Sequence, residues 1–222
     1  QVQLGQARQA QAKNPDADIT SSVGQAQTHL QAARQLETIP SVVTRRAMLL
    51  EGVAQRMSGN QRAALQWFAD TRKAYGSTPE GLAAILFEAE LLEQAGQLSA
   101  ALAGYRRVLK SAGEPSVYHN DMLPLAELQS RLSQAVIRLA SDEQYGGALS
   151  LLDHFRPLFA ASRQLEQRAK LLETWGNTLI GQATGNRDQL EQALRRGRRR
   201  LREAGAAYEQ LGKTRYETQN HT

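Results

Sequence analysis

The sequence predicts an all-α fold of consecutive antiparallel helix pairs, and three observations predict it. Ala, Leu, Gln, Arg and Glu dominate the 222 residues, and these side chains lose little rotamer freedom in a helix. Apolar residues recur at steps of three and four through most of the chain, which stacks them on one helical face. Clusters of Gly, Pro, Asn and Ser cut that pattern into segments of helix-hairpin length. Runs rich in Val, Ile and Thr, the material of strands, are missing.

Taken in order, Ile19, Val23, Ala26, Leu30 and Ala33 form the first face, and Ile39-Pro40 breaks that helix. A helix over 42–57 stops at Ser58-Gly59-Asn60, and Asn60 is placed to cap a helix running to Tyr75. In Gly76-Ser77-Thr78-Pro79-Glu80, Gly76 ends one helix, Thr78 caps the next and Pro79 fits its first turn. That helix carries Leu82, Ile85, Leu86, Ala89 and Leu92 to about Gly96, with a partner over 98–110. Residues 112–124, with Gly113, Pro115, Asn120 and Pro124, read as a long connection. Helices follow over 125–140, 142–156, 158–182 and 187–211. In the last, Leu190, Leu194, Gly197, Leu201, Ala204, Tyr208 and Leu211 form a narrow seam.

Two stretches share a register. Gly52, Gly59, Ala64 and Phe68 recur as Ala89, Gly96, Ala101 and Tyr105, 37 residues later. Val136, Leu139, Ala148 and Leu152 repeat it more loosely. Small residues at these positions let two antiparallel backbones approach, and the large residue one turn on fills the space beside them.

In these residues the chain resembles the tetratricopeptide repeat, with its pattern W-x2-L-G-x2-Y…A-x3-F…P and a period of about 34 residues. Trp175-Gly176-x2-Leu179 resembles the start of a further repeat, with Ala204 and Tyr208 in its second helix. Ala7, Ala10 and Pro15 resemble the tail of a repeat. The two best repeats lack the initial Trp, and their periods are longer than the family's. The resemblance implies a right-handed α-solenoid of eight or nine helices. It divides the chain into a remnant of an upstream repeat (1–16), a repeat array (17–182), and a long basic C-terminal helix packing on the array, with a polar tail (183–222).

The resemblance also implies a function. In such solenoids the first helix of each pair lines a concave groove that holds a protein or peptide. Carried over by register, the lining residues are Arg46, Leu49, Val53 and Arg56 in the first clear pair, and Leu86, Glu90, Glu93 and Gln94 in the second. Ser133, Ile137 and Ser141 follow in the third, and Lys170, Glu173 and Asn177 in the fourth. The expected function is a non-catalytic interaction scaffold without a cofactor. Its groove lacks the Lys/Arg cluster that would clamp a peptide carboxylate.

The chemistry of other classes is sparse. There is no cysteine, which removes disulfides and thiolate sites. His29, His119, His154 and His221 form no metal pair at i, i+4. Tyr118-His119-Asn120-Asp121 reads as a turn with a cap, the rival being an enzyme site. Glu88, Glu90 and Glu93 read as groove or solvent residues, not paired catalytic carboxylates. Trp67 and Trp175 read as packing residues. No apolar run is long enough to cross a bilayer, and the compartment stays open. A chain opening on Gln1 reads as a processed or excised piece with repeats or a signal upstream.

Charge is uneven. Residues 187–222 hold nine Lys and Arg against five Asp and Glu, and the rest is nearly balanced. The arginines at 195, 196, 198, 199, 200 and 202 spread around the last helix, with Arg198 and Arg202 beside the seam. Glu191 and Glu203 stand at i, i+4 to Arg195 and Arg199. A solvated helix is the preferred reading. The alternative function is binding of nucleic acid or an anionic surface through Arg195, Arg196, Arg199 and Arg200, disfavoured because no aromatic interleaves them for base stacking.

Overall fold

The computed structural model describes residues 2–14, 19–35, 41–156 and 158–220. All regular structure among them is helical, in ten helices packed against neighbours. Eight or nine were expected. The addition is α1 (Val2–Lys13), in the stretch read as a repeat remnant. Its Leu4 and Ala7 are buried with Val23, Ala26 and Leu30 of α2 (Thr20–Gln35). Ile39 and Pro40, read as a helix break, and Pro15, read as part of a repeat tail, lie outside the described residues.

Two compact units divide the chain. One holds Gln1–Ser111 and His119–Leu123, the other Ala112–Tyr118 and Pro124–Thr222.

In the first unit, α3 (Val42–Met57) starts at Ser41, whose hydroxyl accepts the backbone N–H groups of Val43 and Thr44. It pairs with α4 (Gln61–Tyr75). A Cβ on Gly52 would come within 2.5 Å of the Phe68 ring, so the aromatic fills the space a side chain would need. Phe68 is fully buried and meets Phe87 edge-on, with ring centroids 5.6 Å apart, a geometry that suits the ring quadrupoles. Next comes α5 (Pro79–Gln94), capped by Thr78 with Pro79 in its first turn, as the sequence indicates. It lies at the centre of the unit, with most of its residues buried. Its partner is α6 (Leu98–Ala112). There Gly104 sits against Ala89, where a Cβ would stand 2.8 Å from the Ala89 methyl. Ala64 and Ala101 are buried, as their register requires.

The second unit contains α7 (Leu125–Ser141), α8 (Tyr145–Leu152), α9 (Ala161–Gly181) and α10 (Arg187–Asn220). Here α8 is shorter than expected. Stacked Phe155 and Phe159 follow it, and the carbonyls of Leu152 and Leu158 accept from Gln164 and Gln129. α9 and α10 run antiparallel at close range, because a Cβ on Gly176 would stand 3.1 Å from the Gly197 carbonyl oxygen. α10 continues past residue 211, and Ala207, not Tyr208, takes the buried position beside Ala204 and Leu211.

Three hairpin turns are built alike. At each, one residue adopts positive φ: Gly59 (78°), Gly96 (73°) and Glu143 (59°). The N–H of the next residue bonds back across the helix end, Asn60 to Gln55, Gln97 to Leu92 and Gln144 to Leu139, the Schellman arrangement. Asn60 therefore stands at the helix start, but its side-chain amide donates to Gln55 and does not cap α4. Counted from the positive-φ residue, the buried alanines Ala64, Ala101 and Ala148 fall at the same position, as do buried Phe68, Tyr105 and Leu152.

Candidate functional site

The groove positions behave differently in the two units. In the first unit Leu49, Val53 and Leu86 are core residues, at most 4% exposed. Glu90 and Glu93, expected in a groove or in solvent, are buried too. The Arg56 guanidinium holds Glu90 at 2.7 Å, and the Tyr105 hydroxyl donates to Glu93. Arg46 pairs with Glu80 and Asp121, and Arg72 with Glu88 at 2.6 Å. Gln94 is exposed beyond these pairs. Burial forces this arrangement, since a buried carboxylate needs a charged or hydrogen-bonding partner to offset its desolvation. On α3 and α5 the assigned positions are thus taken up by core packing and by ion pairs within the unit.

In the second unit the same positions open. A cleft of about 540 Å³ lies between α7 and α9. Ser133, Ile137 and Ser141 line it from α7, and Lys170 from α9, four of the residues assigned to the groove. Val136, Ala140, Leu171 and the Tyr145 ring add apolar wall, and Glu143, Gln167 and Thr174 add polar atoms. Ile137 is 54% exposed, a large aliphatic side chain facing solvent on an otherwise amphipathic helix. The Gln167 amide donates to the Ser133 hydroxyl at 3.3 Å. Lys170 is held by Glu166, which also meets Arg215. Lys170 lowers the Glu166 carboxyl below its ordinary range against an opposing effect of desolvation, and Arg215 adds to the lowering. Two assigned residues stay outside the cleft. Glu173 accepts from the Tyr208 hydroxyl at 2.8 Å, and this bond raises the Tyr208 pKa. Asn177 is exposed.

Sequence reasoning missed Tyr145 and Gln167. Tyr145 stacks on Trp175 with ring centroids 5.7 Å apart, and the Arg200 guanidinium lies over the Trp175 ring, 3.9 Å from its centroid. Trp175 is therefore packed, and it is one ring away from the cleft. Gln167 carried a signal. It lies 34 residues after Ser133, the offset that also separates Arg56 from Glu90 and Arg46 from Glu80.

The 112–124 connection is tied down by its polar side chains. Asn120 is buried, accepts from the N–H groups of Met122 and Leu123, and donates to the Pro79 carbonyl. Asp121 pairs with Arg46. Among the described residues no three His, Cys, Asp or Glu are grouped to hold a metal, and no helix is long and apolar enough to cross a membrane. Compared with models of known protein families and with curated proteins, the chain matches none.

Proposed function

We propose that the chain is a non-catalytic protein-interaction module of the tetratricopeptide-like kind, binding a peptide segment of a partner in the α7/α9 cleft. The observation that carries this reading is the coincidence of register and opening: four residues assigned to a groove line one cleft. Further support comes from the 34-residue offset of side-chain contacts between first helices, which is the repeat length of that family. Apolar walls with a few polar atoms suit an aliphatic anchor residue flanked by peptide amides. In this reading the chain's architecture is a right-handed solenoid.

Selection of peptides from a random display library against the intact chain tests the proposal. Enriched peptides should share an apolar anchor and lose binding to Ile137→Glu. Failure to enrich any peptide, or equal binding to Ile137→Glu, would contradict it.

A further inference from the structure

The outer face of α10 carries a bounded basic stripe. Arg195, Arg198, Arg199 and Arg202 stand at i, i+3, i+4 and i+7. This places them on one side of the helix over about 10 Å. All four are exposed, opposite the buried Gly197, Ala204 and Ala207. The spread of arginines expected from the sequence is thus resolved. Arg200 leaves the basic face for Trp175 and Glu203, Arg196 is exposed at the side, and the other four form a line. Glu191 meets Arg195 at 2.6 Å and Glu203 meets Arg199 at 3.1 Å. Arg198 and Arg202 pair with no carboxylate among the described residues; the Arg202 guanidinium reaches the Arg198 carbonyl.

We propose that this stripe is a second interaction surface, separate from the cleft, for an acidic segment of a partner protein with carboxylates at matching helical spacing. The boundaries decide the class of partner. Along the same face Asp188 and Glu191 precede the arginines, and Glu209, paired with Lys213, follows them. A duplex carries about one negative charge per 1.7 Å of its axis, so it would run past the stripe onto these carboxylates. An anionic bilayer would meet them as well, and the face offers no apolar residue to insert. The nearby rings give no stacking platform, because Trp175 lies under Arg200 and Tyr208 is bonded to Glu173. A short acidic segment meets the arginines without the flanking acids. Guanidinium forks also suit carboxylates in a way that a point charge does not.

The test is fluorescence anisotropy of the intact chain with a labelled helical peptide bearing Glu at i, i+3, i+4 and i+7. A short DNA duplex and phosphatidylserine-containing vesicles serve as the other arms. The peptide should bind, weaken as salt rises, and lose at least ~10-fold in affinity to the Arg198→Ala/Arg202→Ala variant. Both positions are exposed, so the thermal midpoint of that variant should match the parent and Ile137→Glu should bind the acidic peptide normally. Tighter binding to the duplex or the vesicles than to the peptide, or undiminished peptide binding by the double variant, would overturn the proposal.

Discussion

The two units place different side chains at the same points of a shared hairpin register, and this difference decides whether that helix face is filled or leaves a cleft. Ten residues before the positive-φ turn residue the first unit has Leu49 and Leu86, whereas the second has Ser133. Six residues before it stand Val53 and Glu90 in the first unit, and Ile137 in the second. The leucines are fully buried and the Glu90 carboxylate is held by Arg56. With serine in place of leucine, the space beside Ile137 is left as cleft. One hairpin plan thus yields a filled face or a cleft according to the side-chain volume at a single position.

The comparison breaks most visibly under a charge. Ala101→Arg forces a long cation into the α5/α6 interface and should cost about 4 kcal/mol, whereas Ile137→Arg in the cleft should change stability by less than about 0.5 kcal/mol. Denaturant unfolding of both variants checks the contrast, and equal losses would show that the cleft is as filled as the hairpin interface.

Ion pairs should follow the same division. Arg56→Ala takes the guanidinium from a carboxylate that is 4% exposed, and should cost about 1–2 kcal/mol once its own partial exposure is allowed for. Lys170→Ala at the cleft rim should cost a few tenths, because that pair is exposed. A smaller effect of opposite sign belongs to the third turn. Glu143 holds a left-handed conformation that glycine occupies in the first two turns, so Glu143→Gly should raise stability by about 0.5–1 kcal/mol. The glutamate's bond from Gln182 offsets part of that gain.

The smallest effect is on α10. Burial pushes the Glu203 carboxyl up, but hydrogen bonds from Arg200 and Arg199 outweigh it and hold its pKa below the ordinary 4.5. A lowered folded pKa contributes stability that is complete above the unfolded value and lost as the pH falls through the folded one. Acidification below about pH 4.5 should therefore remove a few tenths of a kcal/mol at this site. Thermal scans at neutral and acid pH should show a smaller acid loss in Glu203→Gln than in the parent.

Much of the fold was legible because helices announce themselves locally. The 3–4 spacing of Ile85, Ala89 and Leu92, the Thr78-Pro79 start and the glycines of the first two turns each carry their own signal. The third turn was placed only by the ends of the helices read over 125–140 and 142–156, because Glu143 does there what Gly59 and Gly96 do and no residue type marks it. The Val136–Ala148 spacing still put Ser133 in register with Leu49 and Leu86, so the cleft was visible as a set of positions, but not as a cavity, because the volume left beside Ile137 depends on packing between distant helices. The closure of the first unit depends on pairs such as Arg56–Glu90, whose 34-residue offset was hidden by the 37-residue spacing of the turn glycines. Tyr145 and Trp175 meet across 30 residues, and no local pattern links them.

The central claim is that the α7/α9 cleft is where the chain binds its peptide, and Trp175 offers the most direct measurement. With Trp67→Phe removing the other indole, a peptide selected against the intact chain should change Trp175 emission saturably, because Tyr145 both lines the cleft and stacks on that ring. Ser133→Leu, which restores the residue type of the first unit, should then weaken the peptide at least ~10-fold, with a fall of a few degrees in the thermal midpoint because the Gln167 amide loses its acceptor. If Ser133→Leu binds the peptide as tightly as the parent, with the same change in emission, the cleft is not the site.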